Sequence, residues 1–103
     1  MDLKEKIRLS LLYDIYSELL TEKQQAYFEY YYQKDYSLSE ISEILSVSRN
    51  AVHMQLKNVV NHLENYEEKL HILDKKKLAS KIIKKINENK ISSEEIVSEL
   101  EKV

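Results

Sequence analysis

The sequence of 103 residues contains no glycine and no proline. Glycine provides the positive φ angles of tight turns and the backbone of phosphate-binding loops, and proline provides rigid kinks. A chain without either residue is expected to form long helices joined by short polar segments. Its length suffices for one small domain with a single core. Cysteine is also absent, which excludes disulfides and thiolate metal sites and suits a reducing compartment.

Charged residues interrupt the hydrophobic stretches of the chain. The first residues, MDLKEKIRLSLLYDIY, carry a charge every few positions, which is typical of neither a signal peptide nor a membrane span. No later stretch is long enough and apolar enough to cross a bilayer. The sequence therefore predicts a cytoplasmic protein that does not insert into a membrane.

The formal net charge of −2 conceals a strong segregation of charge along the chain. Residues 74–91 contain seven lysines and two acidic residues, whereas residues 1–48 carry a charge of −4 and residues 92–103 a charge of −3. Local patches, more than net charge, attract a polyanion. A nucleic acid would therefore be drawn first to residues 74–91.

Apolar residues at helical spacing predict a first helix at the start of the chain. They are Leu3, Ile7, Leu11, Ile15 and Leu19, with Leu12 and Tyr16 beside them. Thr21 and Gln24 then form a capping box, in which each residue satisfies a backbone N–H of the other, and so predict the start of a second helix. An aromatic face follows, made of Tyr27, Phe28, Tyr31 and Tyr32. We interpret this face as core and half-buried rim, with a base-stacking surface as the alternative.

Residues 37–59, SLSEISEILSVSRNAVHMQLKNV, have the pattern of a helix-turn-helix. A second capping box, Ser37 with Glu40, begins a short helix, and Ser48 is a favourable N-cap for the helix after it. The turn needs an apolar plug, and the helix crossing needs small or apolar residues. The residues at these places are Val47, Ser42, Ala51 and Val52.

The outward face of the second motif helix carries the side chains that could read nucleic acid. If this helix lies in a major groove, five residues face base edges and phosphates. They are Ser48, Arg49, Asn50, His53 and Lys57. The alternative is the ordinary polar outer face of a helical bundle, because two cations are few for a protein that reads DNA.

A heptad seam continues along the same helix. Its apolar residues are Val52, Leu56, Val59, Leu63, Tyr66, Leu70 and Leu73, at alternating spacings of four and three. Such a seam needs a partner helix, which either the first helix or a second copy of the chain could supply. Because Leu3 and Ile7 also need apolar cover, we expect a homodimer.

Residues 74–90 form a basic amphipathic helix in which lysines surround a narrow apolar stripe. Lys77, Lys81 and Lys84 are its candidate contacts to an RNA backbone, and lysines that are merely solvated are the alternative. Asn87 and Asn89 are the expected stop, since asparagine tolerates the left-handed conformation. Ser92 with Glu95 caps a short last helix. The predicted organisation is a helical domain over residues 1–73, followed by the basic helix and the short terminal helix over residues 74–103.

Residues 11–70 resemble the YlxM family of small bacterial helix-turn-helix proteins. The resemblance is carried by the segments LYD, LLTEKQ, YYY, LSEI and VSRNAV. The helix-turn-helix itself is similar to the last DNA-binding region of sigma factors, region 4. The resemblance implies an all-α fold with a three-helix core, an N-terminal helix, a long recognition helix and C-terminal helices. It also implies a non-enzymatic regulator or adaptor of the signal recognition particle pathway, with that particle's GTPase or RNA as partner.

This sequence departs from the family pattern where DNA would be contacted. Asn50 stands where glutamine is usual, and Asn58 stands where a cation is usual. Ser46 replaces the usual glycine of the turn, and Ser42 replaces alanine. These changes keep the fold and weaken the groove-reading face, so they shift the balance away from transcriptional control.

Other kinds of chemistry find no support in the sequence. The three histidines, His53, His62 and His71, are nine residues apart, so on one helix the outer pair lie about 27 Å apart and cannot share a metal. Adjacent carboxylates lie on charged surfaces with nothing apolar to raise a pKa. We therefore expect no catalytic residue, no metal and no cofactor. Three hypotheses remain: an adaptor of the signal recognition particle, a DNA-binding transcriptional regulator that reads through residues 48–57, and a structural homodimer.

Overall fold

The computed structural model describes residues 2–102, which contain six α-helices and no strand. The helices are α1 (Leu3–Tyr16), α2 (Glu22–Phe28), α3 (Leu38–Leu45), α4 (Arg49–Leu70), α5 (Ile72–Asn87) and α6 (Ser93–Leu100). A 3-10 turn, Ser17–Leu19, precedes α2, and a π-helical turn, Glu29–Gln33, follows it. The all-α prediction is confirmed. None of the helices in this part of the chain is both long and apolar enough to cross a membrane.

The chain divides into two compact units, Met1–Lys69 and Leu70–Val103. The boundary lies four residues before the division at residue 74 that the charge pattern indicates. It falls beside His71, whose φ of 55° separates α4 from α5.

The predicted capping residues begin their helices. The Thr21 Oγ accepts a hydrogen bond from the Gln24 N–H at 3.1 Å, and the Gln24 Oε1 accepts from the Thr21 N–H at 2.9 Å. Ser37 and Glu40 form the same reciprocal pair, both at 3.0 Å. These hydrogen bonds from Ser37 hold the pKa of the Glu40 carboxyl below its usual value. Both capping boxes are thus confirmed, and each leaves fewer unsatisfied N–H groups at a helix start.

Helices α3, α4 and α5 and the π-helical turn each end near a residue in the left-handed conformation, although the sequence has no glycine. Among residues 2–102, four non-glycine residues have φ near 55°, namely Asp35, Ser46, His71 and Asn89. Such a conformation costs roughly 1–2 kcal/mol per residue for an L-amino acid with a Cβ, and less for Asn and Asp. Helix α5 ends at Asn87 and Asn89 is left-handed, which confirms the predicted stop at these two residues. The break at His71 was not predicted.

The face of α1 that packs into the core of the first unit is not the predicted stripe of leucines and isoleucines. Leu9, Leu12, Tyr13 and Tyr16 are buried. By contrast, Leu3, Ile7, Leu11 and Leu19 are 72%, 51%, 39% and 54% exposed. A step of four residues turns a helix by about 400°, so that stripe drifts around the axis, whereas steps of three and four keep the buried set on one side. The predicted helix is confirmed, but its apolar stripe is largely exposed.

Aromatic rings fill much of this core. The Tyr13 and Phe28 rings stack with centroids 4.1 Å apart and planes at 3°. The Tyr13 hydroxyl donates to the Glu29 Oε1 at 2.9 Å. Burial, together with the hydrogen bond and the charge of Glu29, raises the pKa of Tyr13 to about 12. The interpretation of the aromatic run as core and half-buried rim is consistent with these positions. Tyr27, Phe28 and Tyr32 are buried, and Tyr31 is half-buried.

The apolar seam of α4 is shorter than predicted. Val52, Leu56, Val59 and Leu63 are buried, but the next buried position is Glu67. Tyr66 is half-buried, Leu70 is 44% exposed, and Leu73 belongs to α5. The prediction of three heptads is therefore wrong beyond Leu63, because an uninterrupted helix drifts from a heptad repeat and this one ends at Leu70.

Helix α1 supplies a partner for α4 within the first unit. The Arg8 Nε and Nη2 donate to the two carboxylate oxygens of Glu64, both at 2.9 Å. The Tyr16 hydroxyl donates to the Glu67 Oε1 at 2.7 Å, and both residues are buried. The first helix, one of the two expected partners of the seam, therefore contacts α4 in the structure. The burial of the seam removes one of the two arguments for a homodimer.

The second unit consists of α5 and α6. Leu73 and Ile82 are buried in α5, whereas α6 has no buried residue. The Ser92 Oγ accepts from the Glu95 N–H at 3.2 Å, which confirms the predicted cap of α6. Ile83 and Val97 are 57% and 55% exposed. Because burial of apolar surface is the main source of helix stability, α6 is held less firmly than α5.

Candidate nucleic-acid interface

The helix-turn-helix is formed by α3, the turn Ser46-Val47-Ser48 and the first turns of α4. Ser46 takes the left-handed conformation (φ 55°, ψ 43°), and the Val47 N–H then donates to the Ser42 carbonyl oxygen at 3.1 Å. The Ser48 Oγ accepts from the Ala51 N–H at 3.0 Å and caps α4. Ser46 thus performs the task for which glycine is usual, and the N-cap role predicted for Ser48 is confirmed.

The five side chains predicted to read a groove all lie on the exposed surface at the start of α4. They are Ser48, Arg49, Asn50, His53 and Lys57. Positions 49, 50, 53 and 57 fall within about 100° of one another around the helix axis, so they form one face. We call this set the α4 face. The structure shows that the face exists, while its role in binding stays a prediction.

The two cations of the α4 face can contact an anion. Neither Arg49 nor Lys57 forms an ion pair with a side chain in residues 2–102. The N-terminus of a long helix adds a partial positive charge and free N–H groups at the same place. Arginine and asparagine are side chains that recognise guanine and adenine edges. The face can therefore make a few base and phosphate contacts, although unit Met1–Lys69 carries a charge of −4.

An apolar pocket of about 240 Å³ adjoins the α4 face. It is formed by the π-helical turn, the start of α3 and the middle of α4. Its lining residues are Tyr31, Tyr32, Leu38, His53, Leu56, Lys57, Val60 and Asn61. His53 and Lys57 thus belong both to the α4 face and to the rim of this pocket, which we call the Tyr31 pocket.

The sequence reasoning missed the Tyr31 pocket and, with it, Asn61. The available signal was the aromatic run, for which base stacking was the alternative interpretation. The π-helical turn decides the placement of Tyr31, because the Lys34 N–H donates to the Glu29 carbonyl oxygen at 2.9 Å, five residues back. Single π-helical turns within α-helices occur frequently at functional sites.

A second pocket, of about 280 Å³, shares two of these tyrosines. It is lined by Lys6, Tyr31, Tyr32, Asp35 and Tyr36. The Lys6 Nζ lies 3.1 Å from the Asp35 Oδ1, so this cation is already paired. Burial is the main cause that raises the pKa of Tyr32 to about 12.

The candidate lysines of the basic helix lie in the other compact unit. Lys77, Lys81 and Lys84 are exposed on α5. The pKa of the Glu99 carboxyl, on α6, is lowered. Hydrogen bonding to Lys102 lowers it most, and the charges of Lys85 and Lys81 on α5 lower it further. Lysines that are partly balanced by an acidic neighbour attract a polyanion less strongly. The binding role of this set also stays a prediction.

The histidines occupy three different settings. His53 belongs to the α4 face, and the His62 ring lies 6.2 Å from the Tyr66 ring at 21°. The His71 Nδ1 lies 3.3 Å from the Asp74 Oδ2 in the second unit. The role of His53 is thus tied to the α4 face and the pocket beside it.

Comparison with known proteins adds to this geometry. A sequence model of the family described as "UPF0122: Putative helix-turn-helix protein, YlxM / p13 like" matches residues 3–103. The chain is 48% identical over 84 residues to a UPF0122 protein of Oceanobacillus iheyensis, which covers 82% of this chain and 80% of the relative. It is 52% identical over 80 residues to one of Caldanaerobacter subterraneus, with 78% and 68% covered.

A third relative extends the match over the whole sequence. It is a UPF0122 protein of Lactococcus lactis, 35% identical over 103 residues, with 100% of this chain and 93% of the relative covered. The match includes the capped helices, the helix-turn-helix and the basic helix, so the resemblance over residues 11–70 extends to both compact units. The chain therefore belongs to the YlxM and p13-like family of helix-turn-helix proteins.

Proposed function

We propose that this protein is a non-enzymatic regulator that binds nucleic acid through the α4 face. The observation that supports the proposal most strongly is the position of Arg49, Asn50 and Lys57, which lie together, exposed, at the capped start of a 22-residue helix. Helix-turn-helix proteins place the corresponding residues in a groove, where arginine and asparagine contact bases and lysine contacts phosphate.

The proposal assigns no catalytic step to the protein. Regulation would follow from occupancy of the nucleic acid or from recruitment of a partner, and the proposed site of action is the cytoplasm.

A second candidate is an adaptor of the signal recognition particle, which would bind that particle's RNA or its GTPase. The family resemblance suggests this pathway, and the exposed Lys77, Lys81 and Lys84 on α5 are the observation that favours RNA. Phosphate contacts dominate recognition of double-stranded RNA. The acidic α6 beside these lysines is the reason for placing this candidate second.

We also propose that a second copy of the chain covers the exposed stripe of α1. Leu3, Ile7 and Leu11 lie on successive turns, and water contact of so much apolar side-chain surface is unfavourable. Helix-turn-helix dimers read two half-sites with one symmetric assembly. Sedimentation at micromolar concentration tests this part of the proposal, and a single 12.3 kDa species would contradict it.

Fluorescence anisotropy at several salt concentrations tests the main proposal. The labelled ligands are a random DNA duplex and the signal recognition particle RNA, with that particle's GTPase measured in parallel. Lys57→Ala should weaken binding and reduce the slope of log affinity against log salt by about 0.7–0.9, the change expected for one lost phosphate contact. Arg49→Ala should reduce discrimination between duplex sequences.

Lys69→Ala is the matched control, because Lys69 is an exposed lysine at the other end of α4. It should change neither the affinity nor the slope. Equal effects of Lys57→Ala and Lys69→Ala would contradict the α4 face. If the change of Lys77, Lys81 and Lys84 to Gln instead abolishes RNA binding and flattens the salt slope by about two units, the second candidate is favoured.

A further inference from the structure

We infer that the Tyr31 pocket binds one unpaired nucleobase of the nucleic acid that the α4 face contacts. This inference rests on the proposed function and narrows its ligand class: the preferred ligand is a nucleic acid with a base displaced from its stack, rather than a fully paired duplex.

The size and lining of the pocket suit a single flat group. Its volume of about 240 Å³ is below the range of about 300–1,000 Å³ in which drug-sized ligands bind. Tyr32 and Leu56 are buried and provide an apolar floor, while Tyr31 is half-buried and provides an aromatic wall. Nucleobases stack on tyrosine regardless of their identity, since every base has a π face.

The rim of the pocket carries the polar groups that a nucleotide requires. Asn61 offers both an amide donor and a carbonyl acceptor, which can pair with the edge of a base. Lys57 provides a cation for the phosphate of the same nucleotide. Because Lys57 also belongs to the α4 face, a strand that follows this face passes the mouth of the pocket.

Tyr31 is held in place before any ligand arrives. Its ring meets the Tyr32 ring edge-on, with centroids 5.0 Å apart and planes at 89°. The π-helical turn fixes the backbone on which both tyrosines stand. A stacking group that is already oriented loses little conformational entropy on binding, so more of the stacking free energy appears as affinity.

The shape of the RNA major groove favours a ligand that carries an unpaired base. The major groove of an RNA duplex is too narrow for a helix or its side chains, and sequence-specific RNA recognition uses loops, bulges and ends whose bases can splay out. A bulged nucleotide would supply the base for the Tyr31 pocket, while the cations of the α4 face would contact phosphates of the paired region beside it without α4 entering the groove. The same chemistry is available from a bulge in DNA.

Anisotropy with three matched duplexes tests the inference. The ligands are a fully paired duplex, the same duplex with one bulged nucleotide, and the bulged duplex with an abasic site at that nucleotide, each made as RNA and as DNA. The wild-type protein should bind the bulged duplex about tenfold more tightly than the abasic one, as expected for one base–aromatic stack. A preference limited to RNA or to DNA identifies the source of the base.

Variants at position 31 separate stacking from simple apolar filling. Tyr31→Ala and Tyr31→Leu should both lose the tenfold preference, whereas Tyr31→Phe should retain it because the ring remains. Tyr30→Ala is the matched control, since Tyr30 stacks on Tyr36 with centroids 5.6 Å apart and lines neither pocket. Circular dichroism of each variant verifies that the helices are retained.

Failure of the inference can be told from failure of the proposed function. If the wild type binds bulged and abasic duplexes equally while Lys57→Ala still weakens binding, the inference is overturned and the α4 face stands. If no duplex binds at physiological salt, both are overturned. If Tyr31→Ala leaves every affinity unchanged, the pocket takes no base and the inference is overturned.

Discussion

Ser46→Gly should stabilise the protein, although it removes a side chain. Ser46 ends α3 with φ 55° and ψ 43°, a conformation in which a Cβ costs roughly 1–2 kcal/mol. Glycine avoids this cost but loses more backbone entropy on folding, by about 0.5–1 kcal/mol. The Ser46 hydroxyl is exposed, so its loss should have little effect. The midpoints of the two ranges differ by about 0.75 kcal/mol, which is the expected net gain in the free energy of unfolding.

Thermal unfolding followed by circular dichroism measures this gain. For a domain of this size it corresponds to an increase in Tm of about 2–8 °C. Ser46→Ala keeps the Cβ and should not raise the Tm. Ser39→Gly places glycine at an exposed position inside α3, where it should lower the Tm. A decrease in Tm for Ser46→Gly, or an equal increase for Ser46→Ala, would refute the reasoning that backbone strain is stored at this turn.

Three further predictions follow from packing, titration and charge. Leu12→Ala should destabilise the fold by about 2–5 kcal/mol in urea unfolding, because Leu12 is fully buried, whereas Leu11→Ala, on the 39% exposed side chain, should cost far less. The pKa values of Tyr13 and Tyr32 are raised to about 12, above the usual 10, so the stability they provide is fully present below pH 10 and is lost as the pH rises through about 12. Unfolding midpoints should decline over that window, and less steeply in Tyr13→Phe. Glu99→Gln should increase heparin affinity about twofold at low salt, because the lysines of α5 lose an acidic neighbour; an unchanged affinity would show that α6 does not offset them.

Local hydrogen-bond chemistry made the helix starts predictable. Thr21, Ser37 and Ser92 each bond to a group three residues away, so the signal is contained in four consecutive residues. The exposed α4 face was predictable for the same reason, because helical periodicity alone places positions 49, 50, 53 and 57 together.

The remaining features depend on contacts between distant residues. The buried face of α1 is chosen by partners such as Phe28 and Glu67, which lie far along the chain. The left-handed conformation of His71 ends a helix that the periodic pattern continues. The Tyr31 pocket needs three elements to meet, and Asn61 carries no signal until the helix that bears it is placed beside Tyr31.

The π-helical turn Glu29–Gln33 also has a consequence for how relatives should be aligned. Such a turn closes its hydrogen bond over one more residue than an α-helical turn, so it corresponds to a single-residue insertion. Removing one residue at its start would rotate the rest of this turn by about 100° relative to α2 and would turn Tyr31 and Tyr32 away from α4. A one-residue gap within this segment would therefore mark family members that keep the helix-turn-helix and lack the Tyr31 pocket.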